Sequence, residues 1–438
     1  MPSKPQQQHC SHRIEADGTA PAPACDVLIV GAGPAGLSLA TALGQAGLQV
    51  TVLERQDEAA LADPAPDGRE IALTHPSADL LRRLGSWQRL ASHEIGRIAE
   101  AQVHDGPVGH RPALELTARG SGAAHLGWIV PNQALRRTAW QAARATPGVR
   151  IVCGAQIGRV ATLATHAEVD CRLPGGDGGQ QGTRLRAPLV VAADSRFSAT
   201  RRQLGIGARM TDFGRSVIVC RMRHAHPHGG VAHECFGHAR TLAVLPLPDD
   251  PQSGAHQCSV VVTTGTADAE ALMARGAAAF AAEVQAQFRH RLGEMQLVGE
   301  RHAYPLVAVY AHRFAAPRCA LLGDAAVGMH PVTAHGYNLG LAGVGTLARV
   351  LADARARGRD LGAASVLAGY ARAHHRHALP IYQGTNAIVR LYTDARPLPR
   401  LLRQWVLQGA RRLPPLRAAI TRQLTGRGTP AGGTHTGR

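Results

Sequence analysis

Residues Cys25 to Glu54 impose the tightest constraint on how this chain can fold. Val27 to Val30 is a continuous apolar run, and Gly31-Ala-Gly33-Pro34-Ala35-Gly36 follows it. An Ala/Leu-rich stretch then runs to about Ala46, Gly47 stops it, and Val50 to Leu53 is a second apolar run closed by Glu54. Period and punctuation make this strand, glycine turn, helix, strand and acid, in one unit of about 30 residues. Gly31 permits the tight turn, Gly33 lets the backbone approach a pyrophosphate, and Gly36 lets helix and strand pack closely. Glu54 stands where it can accept from ribose hydroxyls. The unit predicts a parallel α/β sheet that binds a dinucleotide.

A second stretch has the same grammar. Cys319 to Leu322 is a short apolar run, Gly323 to Gly340 is a glycine-punctuated segment with Asp324, Pro331, His335, Gly336, Tyr337 and Asn338, and Leu339 to Leu351 is apolar at helical spacing. A helix start offers unpaired N–H groups and about half a positive charge, which favours an anion or polarised oxygen. Taken alone this is either a cradle for a polar cofactor edge or an ordinary strand-turn-helix.

Between the two stretches, Asp67-Gly-Arg69-Glu-Ile-Ala-Leu-Thr-His75 leads into a helix from Ser77 to Leu84. Arg69 either meets a phosphate or is a solvated loop arginine. Gly127 to Val130 reads as a strand, Leu135 to Ala145 as a basic helix, and Val149 to Val152 and Val160 to Leu163 as short strands. The tract Pro174 to Gly182 reads as a hairpin tip, and Leu189 to Ala193 as a buried strand ending at Asp194. From Phe213 the alternation at Val217 to Met222, Thr241 to Leu247 and Cys258 to Thr263 predicts antiparallel strands with one face covered. A helix over about Asp268 to Phe288 follows. After Leu361 two helical regions are expected, broken near Pro380 and Pro397.

Composition narrows the class. The 438 residues carry a formal charge of +17, yet Lys4 is the only lysine and aromatic residues make up 4%. Few stacking platforms and no nucleic-acid motif argue against a nucleic-acid partner. Cys10, Cys25, Cys153, Cys171, Cys220, Cys235, Cys258 and Cys319 form no Cys-x-x-Cys pair, which argues against a zinc site and a disulfide framework and favours a reducing compartment. The first 24 residues lack the apolar core of a signal peptide, and no run is long enough to cross a bilayer. The expected location is cytoplasmic, with room for a peripheral place on the inner membrane face.

The order and spacing of the Gly31–Glu54 unit, the Asp194 strand end and the Gly323-Asp324 loop resemble the single-component FAD-dependent aromatic hydroxylases of para-hydroxybenzoate hydroxylase-like fold. Within them the chain is most similar to the ubiquinone-biosynthesis hydroxylases. The resemblance covers roughly Cys25 to Tyr370 and rests on Asp67-Gly-Arg69-Glu-Ile-Ala-Leu, Gly127-Trp-Ile-Val-Pro-Asn132, Tyr304-Pro-Leu306 and Gly323 to Gly340. The last segment looks closest to a demethoxyubiquinone 5-hydroxylase-type branch. The resemblance implies an α/β protein: a Rossmann-like FAD-binding domain (residues 25–100, 127–205 and 318–372), an inserted antiparallel-sheet substrate domain (101–126 and 206–317) and C-terminal helices (373–425). Residues 1–24 and 426–438 are expected to be disordered tails.

It further implies that Gly31, Gly33, Pro34, Ala35 and Gly36 hold the FAD pyrophosphate, and that Glu54 and Arg55 lie at the adenosine ribose. Arg69 and Asn132 would lie along the phosphates and ribityl chain. Gly323 and Asp324 would bind the ribityl chain, and Pro331 to Asn338, including Gly336 and Tyr337, would flank the isoalloxazine ring. Asp194 matches the acid of an Asp-Gly element tied to NAD(P)H contact, with Ser195 in place of the glycine. Val327, Ala334-His335 and Gly343 stand where the family has histidine, Gly-Gln and aspartate. His335 and Pro331 are the catalytic candidates, His335 for proton handling or as a structural loop histidine.

The implied chemistry is hydroxylation of a polyprenylated phenol or quinol by O2, through a flavin C4a-hydroperoxide, with NAD(P)H or another donor as reductant. Flavin halogenases need a lysine that this chain lacks in its ordered part, and disulfide-reductase flavoenzymes need paired cysteines. A hydroxylase of another aromatic substrate, an FAD-dependent reductase of prenyl chains and a non-catalytic flavin-binding subunit of a quinone-biosynthesis complex stay open. Arg396, Arg400, Arg403, Arg411, Arg412, Arg417 and Arg422, interleaved with Leu398, Leu401, Leu402, Trp405, Val406 and Leu407, read either as an interfacial helix or as a cover packed on the domain.

Overall fold

The structure is a computed structural model that describes residues 25–109, 112–119, 122–174, 180–237, 240–329 and 335–393. Its centre is a six-stranded sheet in the order Ala315–Ala316, Cys319–Leu321, Leu189–Ala192, Val27–Val30, Val50–Leu53, Val149–Val152. Five of these strands are parallel, and Ala315–Ala316 is an antiparallel edge. Val27–Val30, Val50–Leu53 and Leu189–Ala192 are buried at every position, as strands covered on both faces must be. The helices Pro34–Gln45, Asn132–Arg144 and His335–Ala356 pack with the sheet into one core that includes Leu37, Leu43, Leu135, Trp140, Leu341 and Leu347.

A second, eight-stranded sheet runs Val327–Gly328, Met295–Ala311, Ala208–His224, His256–Gly265, Thr241–Pro246, Val231–Phe236, Glu100–Asp105, Leu114–Thr117. All its pairings are antiparallel except Val231–Phe236 with Glu100–Asp105. One face packs on the helices Thr266–Ala274 and Ala277–Gln287 through Ile218, Cys220, Val260, Phe280 and Phe288. The other face meets a three-stranded sheet made of Glu70–Leu73, Gly127–Pro131 and Gly96–Ile98. A three-stranded antiparallel sheet of Gln156–Thr162, Ala167–Pro174 and Gln180–Ala187 completes the fold. Pro174 pairs with Gln180 across two antiparallel strands, and residues 175–179 of the expected hairpin tip lie outside the described residues.

Two expected helix boundaries are corrected. The span Asp268 to Phe288 is not one helix: Arg275 turns extended and Gly276 starts a second one. Nor does Pro380 break the last helix, which runs Ala364–Thr393. Proline removes one backbone bond, but Arg376, whose carbonyl is freed, and Pro380 itself are both exposed, so water can serve that carbonyl. This helix crosses position 372, where the sequence reading placed a domain boundary. The expected break at Pro397 lies outside the described residues.

Candidate FAD site

The glycine turn behaves as its spacing requires. Gly31 has φ +108°, and a Cβ there would lie 2.5 Å from the Ala193 carbonyl oxygen. At Gly36 a Cβ would lie 2.1 Å from the Gly31 carbonyl oxygen, so helix and strand meet backbone to backbone. Gly33 is different: nothing lies within 4 Å of its missing Cβ. It is also the N-cap of Pro34–Gln45, with no side-chain cap and no acid in the first turn. No side chain caps this helix start and no acid offsets its positive end, and the space beside Gly33 is open, which suits a pyrophosphate.

Glu54 braces this turn. Ala32 N–H donates to Glu54 Oε2 at 2.7 Å and Gln56 N–H donates to Oε1 at 2.9 Å, while Arg55 beside it is exposed. The second glycine segment comes to the same end of the sheet. Gly323 has φ +60°, and its Cβ would sit 3.2 Å from Ala35 Cβ. Gly340, in the helix His335–Ala356, would place a Cβ 3.6 Å from Gly323 Cα and 3.8 Å from Ala35 Cβ. Two segments almost 300 residues apart in the chain thus touch. Asp324 accepts from Arg196 Nε at 3.2 Å and Nη2 at 3.0 Å, and Arg196 Nη1 also donates to the Val307 carbonyl.

Arg69 and Asn132 are brought together by a residue outside the sequence-derived set. Asp67 Oδ2 accepts from Arg69 Nη2 at 2.6 Å and from Asn132 Nδ2 at 2.7 Å. Burial pushes the Asp67 carboxyl up, but the Arg69 guanidinium and the Asn132 amide outweigh it and hold it below the usual range. Tyr304 donates to the Asp67 carbonyl at 2.8 Å, and the Arg69 guanidinium lies 5.4 Å from the Tyr304 ring centre. Gly68, at φ +68°, lets this turn close on Val219 and His302 of the large sheet.

One step along, Glu70 accepts from Arg221 Nε at 2.7 Å with its side chain only 1% exposed. Its Oε2 is buried without a partner. Burial lifts the carboxyl to about 7 although Arg221 opposes the rise.

Other expected site residues serve the frame. Asn338 Nδ2 donates to the Ala72 carbonyl at 2.8 Å, and its Oδ1 accepts from Thr74 N–H at 3.0 Å, tying the helix start to the three-stranded sheet. The Tyr337 hydroxyl is buried beside Ser38 in the first helix, and burial raises its phenol. At Gly336 a Cβ would meet nothing within 4 Å. Asp194 Oδ1 accepts from Ser198 at 2.5 Å and Oδ2 from Thr200 N–H at 3.3 Å, so both oxygens are engaged within their own turn. Pro331 and Ala334 lie outside the described residues, as does the side chain of His335. Gly343 abuts the His374 imidazole, its Cβ position 3.1 Å from Cε1 and Nε2, so a larger residue there would need that ring to shift by a few tenths of an ångström. Val327 is buried in a bridge to Tyr310.

Among the described residues no group of three or more His, Cys, Asp or Glu is placed to hold a metal ion. No helix of the described residues is long and apolar enough to cross a membrane. The bare helix start at Gly33, the open space over it and the two touching glycine turns fit a dinucleotide such as FAD.

Comparison with known proteins agrees. The family described as "FAD binding domain" matches residues 24–384. The ubiquinone hydroxylase UbiM of Neisseria meningitidis is 42% identical over 403 residues, covering 92% of this chain and 84% of its own length. The ubiquinone hydroxylase UbiL of Rhodospirillum rubrum is 33% identical over 402 residues, covering 92% and 89%. The solved structure of p-nitrophenol 4-monooxygenase PnpA from Pseudomonas putida superposes with a TM-score of 0.72 at 19% identity, over 92% of this chain and 99% of that one. At that identity it testifies to the fold.

Proposed function

The chain belongs to the FAD binding domain family, and from that membership we propose that it is an FAD-dependent monooxygenase that hydroxylates the aromatic ring of a polyprenylated phenol or quinol in ubiquinone biosynthesis. The observation that carries the reading is the contact of the two glycine turns, at Ala35 and Gly323, in a chain 42% identical to a ubiquinone hydroxylase. FAD held here and reduced by NAD(P)H would provide the electrons that activate O2, so that one of its oxygen atoms enters the ring and the other leaves as water.

The chain's own residues bind and orient. The helix start behind Gly33, with Pro34, Ala35 and Gly36, receives the pyrophosphate. Glu54 and Arg55 flank the ribose, and Glu54 also holds the glycine turn in shape. Arg69 and Asn132, joined through Asp67, form a preset pair of donors along the phosphates and ribityl chain. Asp324, fixed by Arg196, accepts from a ribityl hydroxyl. The start of the helix His335–Ala356, at Gly336, Tyr337 and Asn338, offers its positive end to the electron-rich edge of the reduced ring. Pro331 and His335 remain the catalytic candidates from the sequence, His335 for proton handling or as a structural loop histidine.

A nearly insoluble substrate requires work at a membrane face, and the arginine- and leucine-rich segment from Arg396 has the composition for anionic lipid. Association with other ubiquinone-biosynthesis proteins would serve the same delivery.

The test is a strain lacking this protein, with the accumulated quinone precursor identified by mass. Build-up of a species short of one ring oxygen supports the reading, and an unchanged quinone profile refutes it. Purified protein separates the alternatives: bound flavin that NAD(P)H never reduces would mean a non-catalytic subunit.

A further inference from the structure

Tyr304-Pro305-Leu306 lies in the long strand Met295–Ala311 of the eight-stranded sheet, outside both glycine turns. This short run and the residue after it nonetheless touch both halves of the candidate FAD site.

At one end, Tyr304 reaches the turn at Asp67. Its hydroxyl donates to the Asp67 carbonyl at 2.8 Å, and the Arg69 guanidinium sits over its ring, 5.4 Å from the centre. Two residues earlier, on the same face of the strand, His302 Cδ2 lies 2.7 Å from where a Gly68 Cβ would be. The Asp67 carboxylate in turn accepts from Arg69 Nε at 3.0 Å, Arg69 Nη2 at 2.6 Å and Asn132 Nδ2 at 2.7 Å. The Arg69 side chain is still 45% exposed, so its fork is held on one side and open to a ligand on the other.

At the other end, the Val307 carbonyl accepts from Arg196 Nη1 at 3.0 Å. The remaining nitrogens of that guanidinium hold Asp324, Nε at 3.2 Å and Nη2 at 3.0 Å. Val307 stands two residues past Val309, where the strand makes its last pair with Val327–Gly328. About 10 Å of strand separates Tyr304 from Val307.

Pro305 and Leu306 fix that span. Proline has no N–H to give to a ladder, and Pro305 stands where the neighbouring strand Ala208–His224 shifts register between Asp212 and Ser216. Leu306 is 2% exposed and packs with Val217 and Val219. Sliding either end would unpack this cluster.

We propose that Tyr304-Pro305-Leu306-Val307 is a cross-brace of the cofactor site, with Tyr304 a positioning residue. The brace sets the spacing between the Arg69–Asn132 donors and the Asp324 acceptor, and so the fit to FAD from its phosphates to its ribityl chain. Tyr304 acts through Asp67, and Val307 acts through Arg196. The inference rests on the FAD reading of the site and deepens it.

Contacts this far apart that share no partner add in free energy, so their effects on a binding constant multiply. The two ends of a brace depend on each other. Once one end is released the spacing is lost, and the other end has nothing left to set.

The test is a double-variant cycle in FAD affinity, read by flavin fluorescence as FAD is titrated into the full-length apoprotein. Circular dichroism at the same temperature checks that each variant is folded. Tyr304→Phe keeps the ring against Arg69 and removes only the hydrogen bond, and should raise the FAD dissociation constant about 3–10-fold. Arg196→Met keeps much of the stem and removes the ties to Val307 and Asp324, and should raise it about 10–100-fold. The double variant should bind FAD no more weakly than Arg196→Met alone. Arg196→Lys, which keeps a charge without the fork, repeats the comparison in milder form. A double variant weakened by the product of the two single effects would overturn the brace, as would Tyr304→Phe with wild-type affinity. Either result, beside wild type that binds FAD, leaves the FAD site standing. Wild type that does not retain FAD refutes the site and the inference with it.

Discussion

Replacing Arg221 with alanine isolates the ion pair that joins the two sheets. Glu70 is 1% exposed on its side chain, and Arg221 is the single cation that hydrogen-bonds its carboxylate among the described residues. With the pair intact, burial already lifts Glu70 from 4.5 to about 7. The folded protein therefore holds a proton that the unfolded chain releases between those values, and stability falls as pH rises through that window, by about 3 kcal/mol. Arg221→Ala removes the opposing charge and moves the folded value higher still. Above pH 7 the variant must either bury an unpaired carboxylate or take up a proton, a loss of about 3–5 kcal/mol. At pH 5 the folded protein holds Glu70 protonated with or without Arg221, and only the packing of the arginine stem is lost, about 1 kcal/mol. Urea unfolding at pH 5 and pH 8, followed by circular dichroism, reads both numbers. Glu70→Gln should flatten the pH dependence in either background. Equal losses for Arg221→Ala at the two pH values would show that a buried charge is not the source.

Gly36→Ala drives a methyl group into the Gly31 carbonyl and should cost at least about 2 kcal/mol with loss of FAD, whereas Gly33→Ala meets open space. The latter should keep its melting temperature and weaken FAD binding, read by flavin titration; unchanged affinity would move the pyrophosphate elsewhere. His335→Gln should retain FAD and slow hydroxylation by about 10-fold or more, measured by rapid-mixing turnover, since proton-transfer groups contribute at least that much. No change would leave His335 a structural residue. Deleting residues 396–438 should abolish co-sedimentation with anionic liposomes at low salt, and unchanged co-sedimentation would place the membrane contact elsewhere.

The parallel core was legible because its signals are local. Gly31 and Gly36 are required by backbone contacts within one strand-turn-helix, so their spacing survives in the sequence. The helix ends were less legible, because Gly276 and Pro380 have context-dependent effects. A glycine in an alanine-rich stretch started a new helix, while a proline on a solvent face left its helix continuous. Asp67 escaped because its value lies in joining Arg69 to Asn132, 65 residues from Asp67 in the chain. The Glu70–Arg221 pair escaped for the same reason. Alternation marks a strand, but which face is interior depends on a second sheet contributed by distant segments. Gly343 reads as a departure in the sequence, and the structure sets the His374 ring closely against it.

The central claim is that this chain inserts one atom of O2 into a phenolic ring. Purified FAD-loaded protein, NAD(P)H and a short-chain prenylphenol under ¹⁸O2 test it by mass spectrometry of the product. The expected product is a hydroxylated ring carrying one ¹⁸O atom, with consumption of NAD(P)H that depends on the phenol. Product oxygen drawn from water, or NAD(P)H oxidised to hydrogen peroxide with the phenol recovered unchanged, would contradict it.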